Sequence, residues 1–199
     1  LEHGTEAQRL RHIPHMLHGS EIWCQMFSEP GAGSDVAGLT TRADRDGDTW
    51  VLNGQKVWTS AAHYSAFGMC VARTDASLPK HQGLSMFIVP LDTLGIEVRP
   101  LVLITGDHGF NEVFFTDAQI PAANLVGDLN GGWRCAMSML MNERVALGEL
   151  PDGAQRFAQL PPDVAEVADE RAQHRQRRRQ RDPLHPLQAE IDFGGPVDR

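Results

Sequence analysis

From residue 22 to residue 127 the sequence is interrupted every few positions by glycine, asparagine, aspartate, serine and proline in turn-forming combinations, with only short apolar runs between them. That rhythm leaves no room for long helices and predicts a succession of short strands. Residues 40–42 and 50–52 flank the turn signal Asp46-Gly47-Asp48, and Asn53-Gly54 reads as a reversal of the two-residue hairpin kind. Residues 67–72, 84–89, 96–103 and 112–115 supply further strands. Frequent short strands indicate a closed or packed antiparallel β domain, barrel-like or sandwich-like. On either side the period becomes helical. Leu10, Ile13 and Leu17 recur at spacings of three and four with Gly19 as a stop, and Trp133, Met137, Leu140, Met141 and Arg144 share one side of a helix after Asn130-Gly131-Gly132. The fold class is α+β: an antiparallel β domain flanked by helices, with an irregular or partly helical C-terminal tail.

The stretch Ser28-Glu29-Pro30-Gly31-Ala32-Gly33-Ser34-Asp35 follows the apolar run 22–27. Two glycines bracket an alanine, so backbone amides can approach a ligand without Cβ obstruction, while Pro30 fixes the entry and Ser28 and Ser34 offer hydroxyls. Such a loop suits a polar cofactor. Two nucleotide signatures fail here: a Rossmann fingerprint needs glycine where Val36 stands, and the Gly-Lys-Ser/Thr ending of a P-loop is absent. Taken alone, the loop is equally a tight turn between strands.

A formal charge of −8 over 199 residues argues against a general nucleic-acid surface, yet leaves room for CoA phosphates, which need only a few local cations. No run approaches the roughly eighteen apolar residues of a membrane span and no signal segment opens the chain, so a cytoplasmic protein is expected. Cys24, Cys70 and Cys135 are scattered without metal or disulfide spacing and read as buried thiols. His12, His15 and His18 fall at helical spacing, but nothing completes a ligand set, and they read as a solvated polar face. The first residue is leucine, which fits a fragment or an unusual start.

Four blocks in order, from about residue 3 to residue 149, resemble the acyl-CoA dehydrogenase family. The first is the loop at 28–35. The second is Asn53-Gly54-Gln55-Lys56-Val57-Trp58-Thr59-Ser60. The third runs from Asn111-Glu112-Val113-Phe114-Phe115 to Pro121 and Asn124-Leu125-Val126-Gly127, and the fourth is Asn142-Glu143-Arg144. The resemblance implies four segments: the end of an N-terminal helical domain (1–21), a middle β domain (22–127), the first helix of a C-terminal helical domain (128–150) and a divergent tail (151–199).

It also implies a chemistry: α,β-dehydrogenation of an acyl-CoA thioester, in which a carboxylate removes a proton and a hydride passes to N5 of FAD. In family terms Phe27 and Ser28 meet the pyrimidine side of the flavin, and Gly33 and Ser34 meet the FAD diphosphate or the pantetheine arm of the substrate. Trp58 covers a flavin edge, Thr59 offers backbone contacts, and Ser60 hydrogen-bonds near N5. Positions 28 and 60 are threonine in the family's usual pattern, and serine keeps the hydroxyl. Trp58 is also readable as a strand aromatic packed in the β core. Arg144 either steadies the acyl-CoA chain or is an exposed helix residue paired with a carboxylate.

The family's glutamate base lies on helices for which this chain shows no counterpart, and Glu29 and Glu112 sit in blocks whose counterparts are structural. The chain alone is thus expected to be inactive or nearly so. The implied partners are an acyl-CoA, an electron-transfer flavoprotein and further copies of the chain. Two other functions stay open: a noncatalytic FAD- or CoA-binding or interaction module, and a flavin oxidase or monooxygenase of the same fold. The arginine-rich tract 171–181 lacks interleaved aromatics, follows several acidic residues and reads as a solvated, disordered tail. Sixteen arginines against two lysines also fit out-of-frame translation of that tail.

Overall fold

The computed structural model describes residues 2–148 and the single position 173. The expectations for the tail fall almost wholly outside the described residues. Two helices, α1 (Glu6–Leu17) and α2 (Gly132–Gly148), flank eight strands: β1 (Trp23–Met26), β2 (Arg42–Asp46), β3 (Thr49–Ser60), β4 (Phe67–Arg73), β5 (Leu84–Pro90), β6 (Ile96–Leu101), β7 (Phe110–Pro121) and β8 (Leu125–Val126). The sheet runs β6-β7-β3-β2-β4-β5-β8, with β1 added beside β4. The α+β class holds, but the sheet does not close.

Nor is it wholly antiparallel: β1 pairs with β4 in parallel over Trp23–Met26, and Arg42 of β2 meets Arg73 of β4 in the same sense. A parallel pair needs a long crossover. Here residues 27–66, which include the β2–β3 hairpin, supply it. Turn density reports local reversals only and is blind to such pairings.

The hairpin turn lies at 46–49, where Gly47 takes φ +52°. Asn53-Gly54 is not a reversal but sits inside β3, at a register shift against β7 between Leu52 and Gly54. Gly54 has φ +147°, and a Cβ there would stand 2.5 Å from Thr41 Oγ1 and 2.6 Å from its Cα. Asn53 accepts from the Asp117 amide at 2.9 Å and donates to the Asp117 carboxylate at 3.0 Å. A bulge and a tight hairpin ask for the same residues, because both need positive φ or close backbone approach.

Two apolar layers hold the sheet. One gathers Trp50, Leu52, Phe87, Val89, Val113, Phe115 and Ile120; the other gathers Phe27, Leu39, Val71, Leu84, Met86 and Ile88 with Cys135 and Ala136 of α2. β5 contributes to both, in keeping with its unbroken burial from Leu84 to Val89. The three cysteines are buried and form no disulfide among the described residues, and burial pushes the Cys70 thiol up to about 11.

α1 begins with a capping box between Thr5 and Gln8, and the Gln8 amide also donates to the Ala123 and Leu125 carbonyls at 2.8 Å each. His12 is not solvated as expected. It packs edge-on against Trp23 and Phe67, each at 5.0 Å, the stacked pair that opens β1 and β4. Among the described residues no His, Cys, Asp and Glu cluster could hold a metal, and no helix is long and apolar enough to cross a membrane.

Candidate functional site at the loop after β1 and the bulge of β3

The loop leaves β1 with Phe27 in the second apolar layer and Ser28 half-buried. Glu29 and Ala32 exchange two backbone hydrogen bonds of 3.0 Å, forming a tight turn around Pro30 and Gly31. The Glu29 side chain points inward. Its Oε1 accepts from Lys56 Nζ at 2.8 Å and from the Thr41 amide at 2.9 Å; its Oε2 accepts from the Thr40 amide at 2.7 Å and the Thr40 hydroxyl at 2.9 Å. Lys56, with no exposed side-chain surface, also donates to the Phe27 carbonyl at 3.1 Å. Burial pushes the Glu29 carboxyl up, but the Lys56 charge and the hydrogen bonds from Lys56, Thr41 and Thr40 outweigh it and hold the group down to about 2.

Just past Lys56 the pairing of β3 with β7 slips: Lys56 faces Val113, while Thr59 faces Asn111. The extra residue is accommodated by a bulge. Val57 turns its amide to the Ser28 carbonyl at 2.9 Å, joining loop and strand directly. Trp58 takes φ +59°, an uncommon conformation for a bulky residue, and lies 58 % exposed with its ring edge-on to Phe110 at 5.9 Å. Thr59 is buried, its carbonyl held by the Asn111 side-chain amide at 3.0 Å, and its hydroxyl oxygen finds no hydrogen-bond partner among the described residues. Ser60 is exposed at the end of the strand. Trp58 is therefore displayed rather than packed in the β core.

The far part of the loop is built differently. Gly33, Ser34 and Asp35 are exposed, and Asp35 is paired at 2.8 Å with the exposed Lys80. Arg73 of β4 donates to the Ala37 carbonyl at 2.7 Å and the Leu39 carbonyl at 3.3 Å, tying down the segment that follows. A Cβ on Gly31 or Gly33 would meet no atom within 4 Å. The fold itself does not require glycine there. The Gly33 and Ser34 amides donate to no described residue.

The structure thus brings Phe27 and Ser28 beside Val57 and Trp58, with Thr59 and Ser60 next along β3. Among the described residues no hydrogen bond joins Ser34 to Trp58. An open hollow of about 370 Å³ lies elsewhere, at the start of α2, lined by His81, Asn130, Trp133 and Arg134 among others and by none of the expected site residues. Arg144 belongs to α2, far along that helix from Gly132. Glu112 accepts from the Gln55 amide at 2.8 Å.

Two residues that hold this arrangement, Lys56 and Asn111, were missing from the candidates. Lys56 carried a legible signal: along β3 it falls in phase with the inward-facing Trp50 and Leu52, a position where a lysine needs a buried partner.

Comparisons with known proteins agree with this picture. Residues 24–118 match the family model for the acyl-CoA dehydrogenase middle domain. Acyl-CoA dehydrogenase FadE34 of Mycobacterium tuberculosis is 54 % identical over 147 residues, covering 74 % of this chain and 21 % of that protein. Acyl-CoA dehydrogenase IpdE1 of Mycolicibacterium smegmatis is 47 % identical over 179 residues, covering 84 % and 45 %. Among solved structures, a variant of the Tcur3481-Tcur3483 steroid ACAD superposes with a TM-score of 0.73 at 34 % identity, covering 91 % of this chain and 45 % of that one. A glutaryl-CoA dehydrogenase from Mycobacterium smegmatis in complex with FADH2 gives 0.63 at 30 % identity, covering 71 % and 36 %. The chain spans less than half the length of each of these relatives.

Proposed function

Because the chain belongs to the acyl-CoA dehydrogenase family, we propose that residues 22–127 form the flavin-facing β domain of an FAD-dependent oxidoreductase acting on acyl-CoA thioesters. Residues 1–21 and 128–150 are then the adjoining ends of two helical domains, and 151–199 a divergent tail. The observation that carries this function is the bulge of β3: an exposed tryptophan in a left-handed backbone, its neighbour bonded to the Ser28 carbonyl. Strained, over-determined backbone of this kind concentrates at ligand sites.

The residues fit FAD. Gly31 and Gly33 put no side chain between the loop backbone and an incoming group, and the Gly33 and Ser34 amides, which donate to no described residue, can meet phosphate oxygens or the pantetheine arm. When bound, FAD supplies the hydride acceptor for α,β-dehydrogenation. Trp58 offers a flat apolar face to the ring system. Thr59 would contribute its backbone and Ser60 a hydroxyl to the ring system, and Phe27 and Ser28 would line its pyrimidine side. Arg144 steadies the acyl-CoA.

Neither Glu29 nor Glu112 serves as the base. Glu29 carries four donors and stays ionised far below neutral pH, and a carboxylate so satisfied has little affinity for a substrate proton. Glu112 is engaged by Gln55. A general base contributes roughly two to four powers of ten in rate, so these residues alone sustain little turnover. The same two engaged carboxylates favour a second function, binding of FAD or CoA without catalysis. An electron-transfer flavoprotein as acceptor and self-association accompany the dehydrogenase function.

Reconstitution decides between them. The chain mixed with FAD is expected to retain the cofactor on desalting and to stay yellow when butyryl-CoA is added anaerobically. Rapid bleaching would show that the chain supplies its own base; loss of all FAD on desalting would remove the flavin site.

A further inference from the structure

Lys56 and Glu29 form a buried ion pair where loop and bulge meet. Lys56 Nζ lies between two acceptors on the loop, the Phe27 carbonyl at 3.1 Å and Glu29 Oε1 at 2.8 Å. The residue after Lys56 gives its amide to the Ser28 carbonyl, and the next is Trp58 in its left-handed conformation. At the other end of the bulge, Asn111 holds the Thr59 carbonyl. The bulge is tied at both ends, once to the loop and once to β7.

Stability alone does not call for charges here. An apolar pair of matching volume generally serves a core as well as a buried salt bridge or better. What the charged pair adds is direction: a planar carboxylate with two donors on each oxygen and an ammonium aimed at a carbonyl admit one arrangement, whereas apolar contacts admit several.

We infer that the Lys56–Glu29 ion pair is a positioning pair, which fixes the loop edge at Phe27 and Ser28 relative to the displayed Trp58 and Ser60 so that both face one ligand. That the ligand is a flavin rests on the function proposed above; the positioning itself does not.

The test uses the full chain labelled with 5-fluorotryptophan, which gives one fluorine resonance for each of its four tryptophans, assigned by single Trp→Phe substitutions. In the double variant Lys56→Met with Glu29→Leu, the Trp58 resonance is expected to shift and broaden while that of the core residue Trp50 stays in place. FAD affinity should fall about tenfold. A Trp58 resonance that does not move overturns the inference. If the double variant does not fold, Thr40→Val decides, because it removes one donor to Glu29 at the surface: a smaller shift of Trp58 in the same direction supports the pair's role, and none overturns it. Wild-type chain that binds no FAD would remove the flavin function, yet the Trp58 resonance of the ligand-free protein would still decide the positioning.

Discussion

The two ends of the loop between β1 and β2 are held by opposite means. At the near end, Glu29 and Lys56 are buried, every oxygen of the carboxylate is occupied, and the backbone is bonded to β3. At the far end, Asp35 and Lys80 meet in solvent, and Gly33 and Ser34 make no hydrogen bond from their amides to any described residue. A buried pair is rigid because breaking it leaves an uncompensated charge; an exposed pair is screened and contributes little. The near end is therefore fixed by the protein itself, and under the proposed function the far end is left for the cofactor to complete.

The contrast breaks if the near end proves dispensable. Lys56→Met alone strands the Glu29 carboxylate in the core and is expected to cost about 3–5 kcal/mol, measured by urea denaturation at neutral pH. A loss below about 1 kcal/mol would mean that the pair is not the anchor described.

Acid gives the next largest effect. Glu29 has its folded value lowered from 4.5 to about 2, so its contribution is complete above the unfolded value and disappears as pH falls from about 4.5 to about 2. The shift corresponds to roughly 3 kcal/mol at most. Stability curves should fall through that window in the wild type and less steeply in the Lys56→Met, Glu29→Leu double variant.

At the far end, Gly33→Ala sharpens the comparison from the other side. The added methyl meets no protein atom, so the denaturation midpoint is expected to be unchanged or slightly raised, while FAD affinity falls about tenfold by titration of flavin fluorescence. A variant that binds FAD as well as the wild type would deny the glycine its role. Smallest of all, Lys80→Ala, which removes the exposed partner of Asp35, should leave the midpoint where it is.

Much of the scaffold was open to inspection in the residues. The end of α1 before Gly19, the turn at Asp46-Gly47-Asp48, the placement of β4 and β5 and the start of α2 follow from periodicity and punctuation, which act over a few neighbours. The candidate site was legible in its parts. Phe27, Ser28 and Trp58 do come together, but the hydrogen bond that joins them links residues separated by a hairpin. Lys56 and Asn111 both carried their signal in strand phase, Lys56 with Trp50 and Leu52, Asn111 with Val113 and Phe115.

The chain's residues by themselves determined roughly where most helices and strands lie, the spacing of the glycines in the loop, and the family that the blocks resemble, because each depends on local backbone preference or on residue identity. Tertiary structure alone decided the parallel seating of β1 on β4, the reading of Asn53-Gly54 as a bulge, and the direction of Trp58. Strict alternation would aim Trp58 inward with Trp50, Leu52 and Lys56. One extra residue in β3 opposite β7 reverses the phase, burying Thr59 and turning Trp58 outward. A side-chain period of two makes every such register step a change of face, and register is settled only when distant strands meet.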